Sequence, residues 1–600
     1  MNQPLKPLEE IAEQSFVNRQ EHLEYFWKWG NSIPTPRGSS VAFAGLRRTG
    51  KTAILHRVFN RLFYEQDVVM PVFITFEPYL YRPGMITTYE FAEYYCQSYL
   101  NCYCAFHYRR PDLLRDPLDI DGLHQFAQDR QDKIVLDITQ KYYSMRNGKL
   151  NSYRSTNLAN WIINIPRARA GINNIPTAMF IDEFQILADV YDPDHDRVIP
   201  LTNHYQKASE SQVAPMVVSG SSVSLLFGRA TGGALSGRLS YQFLDPLEPA
   251  FAMLLVMRFC QHRNIPIDYV FAYAVWKLTQ GYPYAIESIM YSASPAAKHY
   301  PNIDALDEVV SFELTHPRGQ LYKHYNEEFH KYSKLLNDGQ TTKKVMFWAT
   351  QYPDERIPVK NVAEKIGVTP QEVQESLQKL EELDIVRRAS LSVFEGPTEP
   401  MLKRFIAYQY DYEIQELTRV QAAKNIETEV SGELRRMTNV MGHFAEIVVG
   451  AVMKGFDGRT LDGPSYFSTP DPVTVPDFYK IENRWGVIEE GRPKELDLIG
   501  EYQGYDEEAE VFMRLAWFVQ VKYRKDKVTS TQVQEFLDQI HAVQDTKGYD
   551  EVTPWYVSKA GYSEPAKNRL EEEGIYYTDL QQFNDLADVF GFLGLPEKSR

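Results

Sequence analysis

Cysteine is scarce, with four in 600 residues, which excludes a disulfide framework. Cys96, Cys102 and Cys104 fall near His107 and make a zinc site conceivable. Their spacing, however, matches no zinc pattern, and their neighbours are Tyr and Phe at packing positions. Long hydrophobic runs are also missing: the longest, around Ala250–Cys260, is too short to span a bilayer and is broken by Arg258. Met1–Glu10 lacks the basic and apolar regions of a signal peptide, so a cytoplasmic location without a membrane partner is expected. Positive charge is in deficit, 64 Lys+Arg against 80 Asp+Glu, for a formal net charge of −16. That argues against a chain coated in basic surface for nucleic acid, so any DNA contact must rest on local sites.

What is present begins with a phosphate loop. The strand-like run Val41–Phe43 leads into Gly45-Leu-Arg-Arg-Thr-Gly50-Lys51-Thr52, and a helical pattern, Ala53–Phe63, follows. This is G-x-x-x-x-G-K-[ST] in its required setting of strand, loop and helix. Gly45 and Gly50 let backbone N–H groups converge on phosphate oxygens, with the helix N-terminus adding positive potential. Lys51 would neutralise the β/γ oxygens of ATP and the Thr52 hydroxyl would ligate Mg²⁺. A second apolar run, Thr177–Ile181, ends in Asp182-Glu183, where Asp182 would hold the Mg²⁺ shell and Glu183 would polarise the attacking water. A third, Pro215–Ser219, opens into Gly220-Ser221-Ser222. Ser221 reads either as a sensor between the γ-phosphate and water or as part of a strand-ending turn.

These residues resemble the archaeal-type ATPases of the AAA+/STAND group. The resemblance rests on Phe16-Val-Asn-Arg19-Gln-Glu-His-Leu23, the phosphate loop, Ile181–Phe184, Gly220–Ser222, Gly237-Arg238 before Leu244-Asp-Pro-Leu247, and Thr279-Gln-Gly-Tyr-Pro283. It covers roughly Phe16–Ile286. It implies that Asn18 and Arg19 lie near the adenine or ribose and that the Pro283 segment closes over the nucleotide. It also implies Arg238 as an arginine finger or sensor, in cis or from a neighbouring subunit of a homo-oligomer; an ordinary ion pair is the other reading of Arg238. An insertion at 79–170 is rich in Tyr, which usually means core packing; a surface for an unknown protein partner is the alternative.

Further along, Val345–Ala349 and Val359–Ile366 read as helices, Gly367-Val-Thr-Pro370 as a turn and cap, and Gln371–Leu383 as a helix with apolar residues at 373, 377, 380 and 383. Ile385–Arg388 and Leu391–Phe394 suggest the strands of a wing, so the region looks like a winged helix-turn-helix. The recognition helix carries Glu372, Glu375, Glu381 and Glu382 against Lys379, poor chemistry for phosphates, which leaves a structural connector and a DNA contact both open.

Near the C-terminus, Asn439–Lys454 reads as a helix placing Glu446 near its packed side. Glu495-Leu-Asp497-Leu-Ile-Gly500 and Phe518-Val-Gln520-Val-Lys522 alternate in polarity, as strands do. Adjacent strands would bring a carboxylate, an amide and an ammonium together, as a metal-dependent nuclease needs. This pattern resembles the PD-(D/E)xK nuclease superfamily, and more closely the Mrr-type restriction endonucleases, with Tyr523–Leu537 and Trp555–Ile575 similar to that branch. The resemblance implies metal binding by Asp497 with Glu446, a contribution from Gln520, and action of Lys522 on the nucleophilic water. Gln520 is neutral where most of the superfamily has an acid, so a cutting site and a silent fold are both compatible with it. Arg524, Lys525 and Lys527 are the candidate DNA-backbone contacts.

The expected fold is multidomain α/β. It comprises a P-loop ATPase core at 1–250, a helical lid at 251–336, a winged helix-turn-helix at 337–410, a helical linker at 411–431 and a restriction-endonuclease-like domain at 432–600. ATP and Mg²⁺ are the expected ligands and DNA the expected partner. The leading expectation is ATP-gated DNA cleavage in prokaryotic defence or mobile-element biology. The alternative is a signal-transducing ATPase whose C-terminal domain binds without cutting.

Overall fold

The computed structural model describes residues 6–12, 15–35, 39–80, 85–147, 154–220, 235, 237–332, 340–352, 355–382, 385–390, 393–437, 444–489, 492–506, 511–592 and 594–595. The chain divides into two compact units. The first comprises Met1–Leu247, Leu278–Lys298 and Asp307–Thr428; the second comprises Glu248–Lys277, His299–Leu306 and Glu429–Arg600. The span 251–336, expected as one lid, is therefore shared between the two.

The first unit is built on a five-stranded parallel sheet. Its strands are β1 (Val41–Gly45), β2 (Met70–Thr75), β3 (Thr177–Asp182), β4 (Met216–Ser219) and β5 (Ser240–Leu244), in spatial order β2-β3-β4-β1-β5. β1, β3 and β4 are buried along their whole length, which explains why they read as unbroken apolar runs: in a parallel sheet helices cover both faces. Helices α1 (Gln20–Ser32) and α2 (Lys51–Glu65) flank the sheet, and α2 buries Ile54, Leu55, Val58, Phe59, Leu62 and Phe63 on one stripe.

Between β2 and β3 the chain makes a helical crossover whose longest helix is α3 (Thr88–His107), its first turn closed by a Thr87/Glu90 capping box. Its Phe91, Tyr95 and Tyr99 join Phe43, Phe59 and Phe180 in one core, and the described tyrosines of this insertion lie in that core or pack against it. Burying each large side chain contributes about 2–3 kcal/mol. Cys96, Cys102 and Cys104 are buried and unbridged in the same core, and burial pushes the Cys102 thiol up to about 12. Among the described residues no three His, Cys, Asp or Glu side chains are grouped to hold a metal, and no helix is long and apolar enough to cross a membrane.

The same unit carries the helices Gln340–Ala349, Val359–Ile366 and Pro370–Glu382, with a hairpin of β6 (Arg387–Ser390) and β7 (Val393–Glu395). The first helix is longer than its sequence pattern suggested. Val373, Leu377 and Leu380 are fully buried against Val345, Val362 and Phe394, while Leu383 lies outside the described residues. Gly367, at φ +72°, ends the second helix with its N–H on the Ala363 carbonyl.

The second unit contains a mixed sheet of β8 (Lys480–Glu489), β9 (Arg492–Asp506), β10 (Val511–Lys522), β11 (Glu551–Ser558) and β12 (Tyr576–Thr578), in that order. The first two pairings are antiparallel and the last two parallel. The helix Ser530–Lys547 covers one face through Val533, Phe536, Leu537 and Ile540, packed with Phe518 and Tyr556. Trp517 and Trp555 pack with Phe456 and Phe467 in an aromatic cluster.

Candidate functional site

Two polar centres stand out, one in each unit. In the first unit the sheet order puts β4 between β1 and β3, so the phosphate loop after β1 and the acid ending β3 meet at the C-terminal edge of the strands, where open α/β sheets bind ligands. The loop is held by geometry that only certain residues satisfy. A Cβ on Gly45 would come within 2.6 Å of the Leu244 carbonyl oxygen, and Gly50 turns the chain into α2 at φ +101°.

Thr52 Oγ1 donates to Asp182 Oδ2 at 2.7 Å, joining two oxygens from positions 130 residues apart. Asp182 Oδ1 accepts from Ser219 Oγ at 2.5 Å and from the Glu183 N–H at 3.0 Å. Lys51, 7% exposed, donates to the carbonyls of Gly45 at 2.7 Å and Leu46 at 2.9 Å, so its ammonium is folded back over the loop it would serve. Glu183 sits at φ +55° and accepts from Gln185. Burial first, and then the Asp182 carboxylate, raise its pKa above the usual carboxylate range, opposed by Gln185, Arg47 and Lys51. A threonine hydroxyl and a buried carboxylate sharing one spot form a hard oxygen donor set that suits Mg²⁺.

Of the remaining nucleotide-site candidates, Asn18, Arg19 and the Pro283 helix lie beside the phosphate loop, whereas Arg238 precedes β5 at the opposite, N-terminal edge of the sheet, where the Ser240 N–H donates to the Ser40 carbonyl at 3.0 Å. Arg19 Nη2 donates to the carbonyls of Thr49 at 3.3 Å and Asp245 at 2.8 Å, bracing the phosphate loop against the chain after β5. Asn18, at φ +59°, accepts the Arg19 N–H on its side chain at 2.7 Å. Pro283 is the first residue of the helix Pro283–Met290, and the next residue, Tyr284, lies under the Arg48 guanidinium at 3.6 Å, which ties that helix to the loop. Arg238 donates from Nε to Glu210 at 2.6 Å, the ion pair that was one of its two readings. Ser221 lies outside the described residues. Sequence reasoning missed Ser219, two positions earlier, because a serine closing an apolar strand carries no signal of its own. The pairing of Arg48 with Tyr284 had no sequence signal either.

In the second unit, the register Leu498 opposite Val519 sets Asp497 beside Gln520 across β9 and β10. Gln520 Nε2 donates to Asp497 Oδ2 at 2.6 Å, and the same oxygen accepts the Val521 N–H at 2.7 Å. Gln520 is 4% exposed, and among the described residues its Oε1 finds no hydrogen-bond donor; neither does the hydroxyl of Tyr556, its neighbour on β11, find a partner. Glu446 reaches the same cluster from the helix Phe444–Lys454. Burial and then the Asp497 and Glu495 carboxylates raise its pKa, with Lys522 opposing. Burial likewise raises Asp497, opposed by the Val521 N–H, Lys522 and Arg484. The sheet thus brings Glu446, Asp497, Gln520 and Lys522 together.

It also brings Arg484, which no sequence pattern singled out. From φ +50° its guanidinium forks onto Glu446, Nε to Oε2 at 2.9 Å and Nη2 to Oε1 at 3.0 Å. The orphan amide oxygen and two carboxylates are oxygen donors fit for a hard divalent cation, provided the Arg484 fork releases Glu446.

No protein family and no curated protein matches the sequence. Solved structures show distant likenesses. A Walker-type ATPase of Pyrococcus abyssi is 12% identical over 66% of this chain and 98% of its own, with a TM-score of 0.44. The ORC2 protein of Aeropyrum pernix, in ADPNP–ADP complexes, is 11% identical over 70% and 96%, with a TM-score of 0.37. The RuvB Holliday junction branch migration motor of Thermotoga maritima is 12% identical over 64% and 94%, with a TM-score of 0.29. All three scores are low.

Proposed function

We propose that this chain is an ATP-binding and -hydrolysing protein of the P-loop AAA+ type whose nucleotide state gates Mg²⁺-dependent DNA cleavage by its second unit. The observation that carries the nucleotide reading is the 2.7 Å contact of Thr52 with Asp182, two ligand types for one Mg²⁺. Mg²⁺ held by these two residues would neutralise β/γ-phosphate charge. Lys51 would exchange its loop carbonyls for phosphate oxygens, and Glu183 would take the proton of the attacking water. Asn18, Arg19 and the Pro283 segment would frame the nucleotide base and close over it, and Arg238 would complete a neighbouring site in a homo-oligomer once freed from Glu210.

Support for cleavage comes from the nearness of Asp497, Gln520, Glu446 and Lys522, the residue types that the resemblance to PD-(D/E)xK nucleases implies. A divalent cation at Asp497 and Glu446 would supply Lewis acidity toward a phosphodiester. Lys522 would orient and deprotonate water, and Gln520 would hold Asp497 in place. The segment 340–395 reads as a winged helix serving as a connector, since Arg387 and Arg388 are committed to Glu395 at 2.9 Å and Glu381 at 2.8 Å. A cytoplasmic role in prokaryotic defence or mobile-element control rests on the resemblance. The second reading, a nucleotide switch whose C-terminal unit binds DNA or a partner without cutting, is favoured by the Arg484 fork on Glu446.

The test is incubation of the wild type, Asp497→Ala and Lys51→Ala with plasmid and linear DNA in Mg²⁺, with and without ATP. Wild type should cut only with ATP, Asp497→Ala should hydrolyse ATP without cutting, and Lys51→Ala should do neither. Cutting by Asp497→Ala overturns the nuclease site. Absence of cutting by wild type transfers the conclusion to the second reading.

A further inference from the structure

Lys559 follows the last residue of β11, and its surroundings are unusual for a lysine. Its backbone N–H donates to the Lys522 carbonyl at 3.1 Å, fixing it beside the end of β10. Its Nζ stands 4.3 Å from the Tyr523 ring centroid, is shielded from solvent, and among the described residues has no hydrogen-bond acceptor. The surrounding loops are fastened together rather than loose: Val528 N–H donates to Gly561 O and Ser563 N–H to Val528 O, each at 3.0 Å. The connection so fastened carries the exposed Arg524, Lys525 and Lys527, with Asp526 the one acid in that stretch. Burial, and then the Lys525 charge, depress the Lys559 pKa.

A shielded amine with no acceptor, facing a like charge, costs stability; the deficit is removed when an anionic oxygen arrives. This corner lies one strand from Lys522, whose carbonyl accepts the Lys559 backbone N–H. We propose that Lys559, with Lys525, receives a phosphodiester phosphate of bound DNA and so sets where the strand lies relative to Asp497 and Lys522. The proposal rests on the DNA reading above and adds a recognition residue to it. The chemistry recognised is a tetrahedral phosphate oxyanion, which a free phosphate could also supply, so both sources are tested.

The experiment measures binding of a labelled short duplex to the full chain by fluorescence anisotropy, in EDTA to prevent cutting, across a series of salt concentrations. The proteins are the wild type, Lys559→Met and Lys559→Arg, with inorganic phosphate as competitor. Lys559→Met keeps the side-chain stem and removes the charge, and its melting temperature should be no lower than wild type. Its affinity for duplex should fall roughly tenfold, as loss of one charged hydrogen bond implies. Its log–log salt slope should drop by about 0.9, one phosphate contact. Lys559→Arg should keep the wild-type slope. A purely structural lysine would instead lower the melting temperature and leave the slope unchanged, which overturns the proposal. Binding by wild type with equal affinity and slope in Lys559→Met overturns it while sparing the DNA reading. No duplex binding by wild type overturns both, and millimolar phosphate binding without duplex binding reassigns the corner to a free anion.

Discussion

Gly281 offers the sharpest test of how the first unit holds its nucleotide site. It sits at φ +78° just ahead of the helix Pro283–Met290, its carbonyl accepts the Leu247 N–H at 2.8 Å, and a Cβ there would collide with the Leu247 carbonyl oxygen. In Gly281→Ala the left-handed conformation costs about 1–2 kcal/mol. Relief of the collision must open the turn and sacrifice the Leu247 hydrogen bond, about 1 kcal/mol more. The sum, roughly 2–3 kcal/mol, should lower the melting midpoint of this unit by about 2–4 °C, since the unfolding entropy of so large a unit is about 0.8 kcal/mol/K. Gly367 provides the control. It too is left-handed, at φ +72°, but a Cβ on it would meet nothing within 4 Å. Gly367→Ala should therefore show only the conformational part, roughly 1–2 kcal/mol.

The two variants should also part in function. Opening the turn moves Tyr284 away from Arg48, so Gly281→Ala should weaken binding of a fluorescent ATP analogue several-fold, whereas Gly367→Ala should not. Calorimetric midpoints and analogue titrations supply both readouts. Equal midpoints and equal affinities in the two variants would refute the argument that this turn is packed against Leu247 and positions the loop.

Two further outcomes concern charge. Glu183 must be ionised to act as base, and its pKa is raised by burial and by Asp182, so ATP turnover should fall as pH drops through that raised value. The acid limb of kcat/KM should lie above the ordinary carboxylate range. A limb at or below the ordinary range removes Glu183 as the base. The stability contribution of Glu183 has the opposite sense, full at low pH and lost as pH rises through the raised pKa. In the second unit, Arg484→Gln removes the competing guanidinium from Glu446. With Arg484 41% exposed along its side chain, the gain is modest, a rise in Mn²⁺ affinity of roughly three- to tenfold by calorimetry. Unchanged or weaker Mn²⁺ binding would mean that Glu446 is not a cation ligand.

The sequence by itself determined the phosphate loop, the acid pair ending β3 and the alternation around Asp497 and Gln520. Each is written in contiguous residues whose type is dictated by local backbone geometry or by strand period. The described tyrosines of the insertion were also legible as packing residues, because large aromatic rings favour burial. Tertiary structure alone decided which side chains meet across long separations. Ser219 reaches Asp182 only because β4 lies between β1 and β3, and Arg484 reaches Glu446 only because β8 runs past the helix Phe444–Lys454. The division of 251–336 between two units was likewise invisible, since amphipathic helices announce that they have a partner face but not which core it joins. Contact between distant residues is set by sheet order and register, and neither is encoded in any short stretch of chain.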